Sequence, residues 1–395
     1  MSALFHSYLC GRNAAEWLII MKYLVAMDSF KGNFTSYEAG AVIRNGILEA
    51  APDADVKIVP IADGGEGTVD AIVTGLGGEY VEVPATDALG RPITARFGVA
   101  GRVAVIEMAA ASGLPLIERE LRDAKAATTF GTGELIRAAL DRGCREFIIG
   151  LGGSATTDGG HGMARALGVH FLDADGHDIG NGGGALSALA SIDVSDLDAR
   201  LRDCTFRIAC DVDNPLCGDH GSAAIFGPQK GATPEDVEIL DHNLAHYAKI
   251  LAKTIGHDYA NVPGAGAAGG LSMGLMAFCG GRLEQGIDLV LDTIHFDELA
   301  READILISGE GATDYQTAYG KAPVGVCRRG AKYGKPGFII SGTLGRDYDA
   351  VYESGVTSVL STIVSAMTTD EAIAQSETLL RKAAVRLVRT IERTR

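Results

Sequence analysis

Six polar or glycine-rich segments of the 395-residue chain gather glycines, carboxylates, hydroxyls or lysines, the residue types that hold phosphate groups and their metal ions. They are "DSFKG" (28–32), "PIADGGEGT" (60–68), "GLGGSATTDGG" (150–160), "CDVDNPL" (210–216), "GEGATDYQT" (309–317) and "GTLGR" (342–346). Glycine admits positive φ and lets a ligand reach main-chain N–H groups, which receive phosphate oxygens. Carboxylates beside such a backbone can hold Mg2+ or accept a hydroxyl proton, and lysine offers phosphate a point charge. Lys31 and Lys321, each in a glycine-flanked loop, are therefore candidate phosphate partners. Asp63 and Glu66 are candidates for Mg2+ or for hydrogen-bonding a substrate hydroxyl. Asp211 could be the base or a Mg2+ ligand; Asp213 could share that role or form an Asx-turn with Asn214-Pro215. Glu310, as a Mg2+ ligand, and Asp314 are further acidic candidates. Gly152, Gly153 and Ser154 read as the start of a helix whose N–H groups make an anion site. Thr132 and Gly133 read the same way, ahead of a helix over 134–141. Ser29, Gly64, Gly65 and Asn214 complete the set of candidate substrate- or nucleotide-binding residues.

Most of these segments follow an apolar run of strand length: Tyr23–Met27, Val56–Ile61, Phe147–Ile149, Phe206–Ala209, Ile305–Ser308 and Phe338–Ser341. Helical patterns over 36–50 and 323–333 alternate with the first and last of these runs. A further strand is expected at 356–363, then a C-terminal helix opened by the capping box Thr368-x-x-Glu371 with the stripe Ile373, Leu380, Ala384, Leu387, Ile391. Five such strands predict an α/β fold with a doubly wound parallel sheet of flavodoxin-like size, and in such sheets ligands bind beyond the carboxyl ends of the strands. The middle differs. Runs at 80–83, 93–99 and 103–108 are joined by links too short for crossover helices, so they pair antiparallel. The reading is a discontinuous outer domain, 22–66 with 296–395, carrying an inserted α/β domain with a mixed sheet over 67–295. Residues 1–21 form an extension without signal-peptide features, and Met21 is a candidate start.

Composition narrows the class. The 52 glycines cluster after apolar runs without a period, which excludes collagen-like chains. A formal charge of −16 argues against a nucleic-acid surface but leaves room for lysines in one cleft. The seven cysteines show no C-x-x-C pair and read as reduced thiols of a cytoplasmic protein. No apolar run reaches the roughly 18 residues of a membrane span. No G-x-x-x-x-G-K-[ST] loop occurs, and "GAGAAG" (264–269) lacks the preceding strand that a dinucleotide fingerprint needs.

In order along the chain, "DSFKG", "PIADGGEGT", "FGTGEL" (130–135), "GLGGSATTDGG", "CDVDNPLCG" (210–218), "FGPQKGA" (226–232), "GAGAAGGL" (264–271), "GIDLVLD" (286–292) and "GKAPVGV" (320–326) resemble the type I glycerate kinases. The resemblance runs from about Lys22 almost to the C-terminus. It implies ATP- and Mg2+-dependent phosphorylation of D-glycerate at the 2-hydroxyl, in a flavodoxin-like domain with an inserted mixed-sheet domain; as for assembly, monomer and homodimer both stay open. The chain departs from the family's pattern in its extension and at Ala312, where many relatives carry a basic residue.

Overall fold

A computed structural model describes residues 20–393; the expected extension lies, but for its last two residues, outside them. The strands in chain order are β1 (Lys22–Met27), β2 (Asp55–Ile58), β3 (Glu79–Thr86), β4 (Pro92–Ala100), β5 (Val103–Glu107), β6 (Glu146–Gly150) and β7 (His170–Leu172). They continue as β8 (Ser191–Asp193), β9 (Thr205–Ala209), β10 (Arg282–Glu284), β11 (Ile305–Thr313), β12 (Gly337–Leu344) and β13 (Ser358–Ser361).

The ends of the chain form one parallel sheet in the order β2-β1-β11-β12-β13. Numbered within the sheet this is 2-1-3-4-5, the flavodoxin-like order, and its switch point lies between β1 and β11. The register pairs Met27 with Gly309, which brings the chain ends carrying Asp28 and Glu310 together at that point. β1 is apolar without alternation because both its faces are covered, as parallel strands require.

The middle of the chain forms a second sheet, β3-β4-β5-β6-β9-β10. Its first three strands are an antiparallel meander, as the short links predict, and β5, β6, β9 and β10 run parallel. β7 and β8 pair separately.

Three apolar layers bind the two sheets. One side of the first sheet packs on helices Ser36–Ala50 and Ser376–Arg393 through Val25, Ile43, Leu380 and Leu387. The far side of the second packs on Phe130–Asp141 and Ala267–Cys279 through Phe147, Leu135 and Leu275. Between the sheets a continuous cluster joins Leu24 and Leu306 of the first to Val105, Ile148 and Ala209 of the second through Ile72 and Ile287.

Two element expectations change. β11 runs on to Thr313 because β12 extends alongside it, pairing Ala312 with Thr343, so Glu310 lies within a strand and not in the loop after it. The C-terminal helix is two. Thr368 does cap with Glu371, but helix Thr369–Ala374 ends at Gln375 and Ser376–Arg393 starts afresh. The break leaves Ile373 half exposed while Leu380, Ala384 and Leu387 are buried.

Candidate active site

One buried serine sets the positions of the first two loops. Ser36, at the start of its helix, donates from Oγ to the Met27 carbonyl (2.8 Å) and accepts from the Ile61 N–H (2.9 Å). It ties the end of β1 to the segment after β2, so "DSFKG" and "PIADGGEGT" leave the sheet side by side. The backbone of the second loop then runs against the second sheet. Gly64 has φ +93°, and any side chain there would collide with Ala209 at the end of β9. A side chain on Gly150, at the end of β6, would come within 2.6 Å of the Gly64 carbonyl, and one on Gly152 within 2.7 Å of Gly65. These glycines allow the ends of two sheets to meet main chain to main chain.

Beside this meeting point a cavity of ≈ 600 Å3 opens at the switch point of the first sheet, lined by segments of that sheet's own half of the chain. Its polar side is lined by Asp28, Ser29, Lys31, Asp63, Glu310 and Lys321. The three carboxylates lie within electrostatic reach of one another. Burial pushes the Asp28 carboxyl up to about 7, with repulsion from Asp63 and Glu310 adding to it and Lys31 opposing. Glu310, 7% exposed, is also raised, by burial first, although it accepts from the hydroxyls of Thr317 (2.7 Å) and Thr313 (3.2 Å). Among the described residues, neither the Lys31 nor the Lys321 ammonium has a hydrogen-bond or ion-pair partner. Lys321 is presented at the N-cap of helix Ala322–Lys332. Crowded acids beside unpaired lysines are suited to a ligand that carries cations and anions together, as a metal-bound polyphosphate does.

Asp211 stands just beyond this group. Its Oδ1 accepts from the Gly286 N–H at 2.8 Å, and burial of the carboxylate, then Asp63 and Asp288, raise its pKa to about 6. Acids thus run from Glu310 and Asp28 through Asp63 to Asp211, from one sheet to the other.

The remaining candidates lie elsewhere or serve the fold. Glu66 is exposed and outside the cavity lining. Asp213 is exposed, and the Asn214 amide donates to the His220 carbonyl. Asp314 caps helix Tyr315–Ala318, its Oδ1 accepting from the Gln316 N–H, so its carboxylate is already engaged. No helix starts at Gly152-Gly153-Ser154: that stretch is a turn bridged to Gly113, and the next helix opens only at His161. Gly152 and Gly153 remain exposed beside Gly65, without a helix behind them. Thr132 and Gly133 sit inside helix Phe130–Asp141 and not ahead of it. Thr132 is fully buried with its hydroxyl on Ser112, and Gly133 is closed in by Met163 and Ala166.

The anion at the start of that helix is the protein's own. Asp158 is completely buried and accepts from the N–H groups of Thr129 (2.8 Å), Gly160 (3.1 Å) and Gly162 (3.1 Å). It joins "FGTGEL" to "TTDGG". Lys230 of "FGPQKGA", also buried, donates to the Thr156 carbonyl at 2.5 Å. Three of the sequence motifs therefore build the second sheet's far side and do not reach the cavity. Asp28, by contrast, stood in a quoted motif without being nominated, and it lies at the centre of the polar cluster.

Among the described residues the three-member group of closely spaced ligand atoms is Asp173, Asp175 and His177, on a surface turn remote from this cavity. The set Asp63, Glu66, Asp211 and Glu310 does not close into such a group. A Mg2+ site does not require it, since that ion keeps several waters and is held by one or two carboxylates together with substrate phosphates.

Known proteins are similar to this chain along nearly their whole length. A glycerate kinase of Halalkalibacterium halodurans is 46% identical over 363 residues, covering 91% of this chain and 96% of that protein. The glycerate 2-kinase of Escherichia coli strain K12 is 47% identical over 354 residues, covering 89% and 93%. A crystal structure of a Salmonella typhimurium LT2 protein assigned as glycerate kinase 2 superposes with a TM-score of 0.86 at 44% identity, covering 95% of this chain and 99% of the other. With residues 23–392 matching the family's sequence pattern as well, this kinase belongs to the glycerate kinase family.

Proposed function

We propose that the protein transfers the γ-phosphoryl group of ATP to the 2-hydroxyl of D-glycerate, in a cavity whose lining comes from the outer domain (22–66 with 296–395), on the side where Asp63 leads toward Asp211 of the inserted domain (67–295). The observation that carries this reading is the pair of unpaired lysines, Lys31 and Lys321, lining one cavity at the switch point together with Asp28, Asp63 and Glu310. Phosphoryl transfer asks a protein mainly to position the reactants and to match the charge of a loose transition state. Lys31 and Lys321 bind the phosphates and follow the charge as it moves. Asp28 and Glu310 fit Mg2+, being oxygen donors held close at a cost that a cation relieves. When bound, Mg2+ neutralises the β- and γ-phosphate oxygens. Asp63, set between the acids of the two sheets, accepts the hydroxyl proton. A cytoplasmic location belongs to the same reading, supported by the free thiols of the described cysteines.

The test is ADP release measured with and without D-glycerate. Coupling to enolase without phosphoglycerate mutase then reads the product: immediate signal identifies the 2-phosphate, whereas signal that needs added mutase identifies the 3-phosphate and rejects the regiochemistry.

A further inference from the structure

The cavity has a second, different side. Besides its charged groups it is lined by Phe34, Ile363, Met367 and Ile373 over the buried Leu380, and Thr369 and Ser376 add hydroxyls to the lining. We infer that this apolar flank, formed by segment 363–380 against the "DSFKG" loop, takes the adenine base of the nucleotide, with glycerate held on the opposite side toward Asp63 and Asp211. The inference rests on the kinase reading above.

Three observations lead there. D-glycerate has three carbons, all bearing oxygen or carboxylate, and offers nothing for Phe34, Ile363, Met367 and Ile373 to cover. A purine offers flat apolar faces and a polar edge, which match an aliphatic and aromatic slot rimmed by hydroxyls. Ile373 is 52% exposed and lines the cavity, two residues before the break at Gln375, whereas the helix beyond the break buries its apolar side chains. The slot and the lysines belong to one cavity of ≈ 600 Å3, within the range of small-molecule sites, so base and phosphates can be bound together.

A rival surface lies on the other side of Lys321. Tyr315 and Tyr319 are 47% and 80% exposed and form an edge-to-face pair with centroids 6.5 Å apart. They do not line the cavity, and stacking there would draw the base out into solvent.

The experiment compares Ile373→Asp and Tyr319→Ala in the full-length protein. Calorimetry measures binding of ATP and of inorganic triphosphate without glycerate, and steady-state kinetics measure both KM values. Ile373→Asp should weaken ATP binding and raise the KM for ATP about tenfold or more, while triphosphate affinity and the KM for glycerate stay within about twofold. Tyr319→Ala should change ATP affinity by less than about twofold. Since Ile373 is half exposed, the variant should melt like the wild type. The assignment is overturned if Ile373→Asp leaves ATP binding intact, weakens triphosphate equally, or raises the KM for glycerate instead, or if the loss appears in Tyr319→Ala. A wild type that binds ATP with this dependence on Ile373 but releases no ADP on adding glycerate would remove the kinase reading and leave the base site standing.

Discussion

Lys31 and Asp28 lie three residues apart in one loop and are held in opposite ways. Lys31 is exposed and unpaired, so its charge is free for a ligand and contributes little to the fold. Lys31→Met keeps the apolar stem and should lower turnover by about 10²–10³, the effect of losing one preorganised donor in an enclosed site, with a near-normal Tm. Turnover above roughly a third of wild type would transfer the phosphate role to Lys321. Asp28 is enclosed among like charges that raise its carboxyl to about 7. Asp28→Asn removes that repulsion. At pH 8 without Mg2+ or nucleotide, it should raise Tm by a few degrees, corresponding to about 1–2 kcal/mol, while turnover collapses. A lower Tm in a thermal melt would mean that the carboxylate is balanced by partners in the folded state.

At the scale of elements, the loop over 60–68 joins the two sheets. The sequence suggested that its glycines expose main chain to a ligand; in the fold Gly64 is closed against Ala209, and the carboxylate of Asp63 is what reaches the cavity. Gly64→Ala combines a left-handed backbone with a collision and should lose roughly 2–4 kcal/mol in urea denaturation. Gly65→Ala is the control: its added methyl would meet only the Asp63 Oδ1, at 3.5 Å, and should cost under about 1 kcal/mol. Similar losses at both positions would show that loop flexibility, and not the contact with β9, is what the glycines provide.

Across the whole molecule, the halves are held together by charge as well as by the shared apolar layer. Arg329, only 15% exposed, reaches across to Asp288 (3.1 Å) and Asp292 (2.7 Å) of helix Gly286–Thr293 and is positioned within its own half by Asp297 (3.0 Å) of helix Phe296–Glu302. Asp297 also accepts from Lys332 (2.8 Å) and the Tyr333 hydroxyl (2.6 Å). Burial works against ionisation there, but these hydrogen bonds outweigh it and hold the carboxyl well below the usual carboxylate range. A depressed carboxyl stabilises the fold above its unfolded value of about 3.9, and the contribution is lost as pH falls through the folded value. Asp297→Asn should therefore be about 1–3 kcal/mol less stable at pH 7, with the gap narrowing as pH drops below about 3.9. An equal gap at both pH values would assign the loss to packing.

The sequence by itself determined the local facts. The apolar runs marked which segments are strands, short links set the meander β3-β4-β5, and Thr368 opened its helix through a capping box. It also nominated Lys31, Asp63, Glu310 and Lys321, because charged residues beside glycines after strands can be read without coordinates. The same pattern nominated Thr132, Gly133 and Asp314, which are taken up by packing and capping, since a glycine or a carboxylate has the same sequence signature whether its partner is a ligand or the protein. Asp158 and Asp28 show the converse. Each is an aspartate beside small polar residues, yet one is the internal anion of a helix start and the other the centre of a cavity. Burial and long-range neighbours separate them: Thr129 lies 29 residues from Asp158, and Glu310 reaches Asp28 only because β1 pairs with β11. Such contacts depend on strand order, and strand order is decided by tertiary packing.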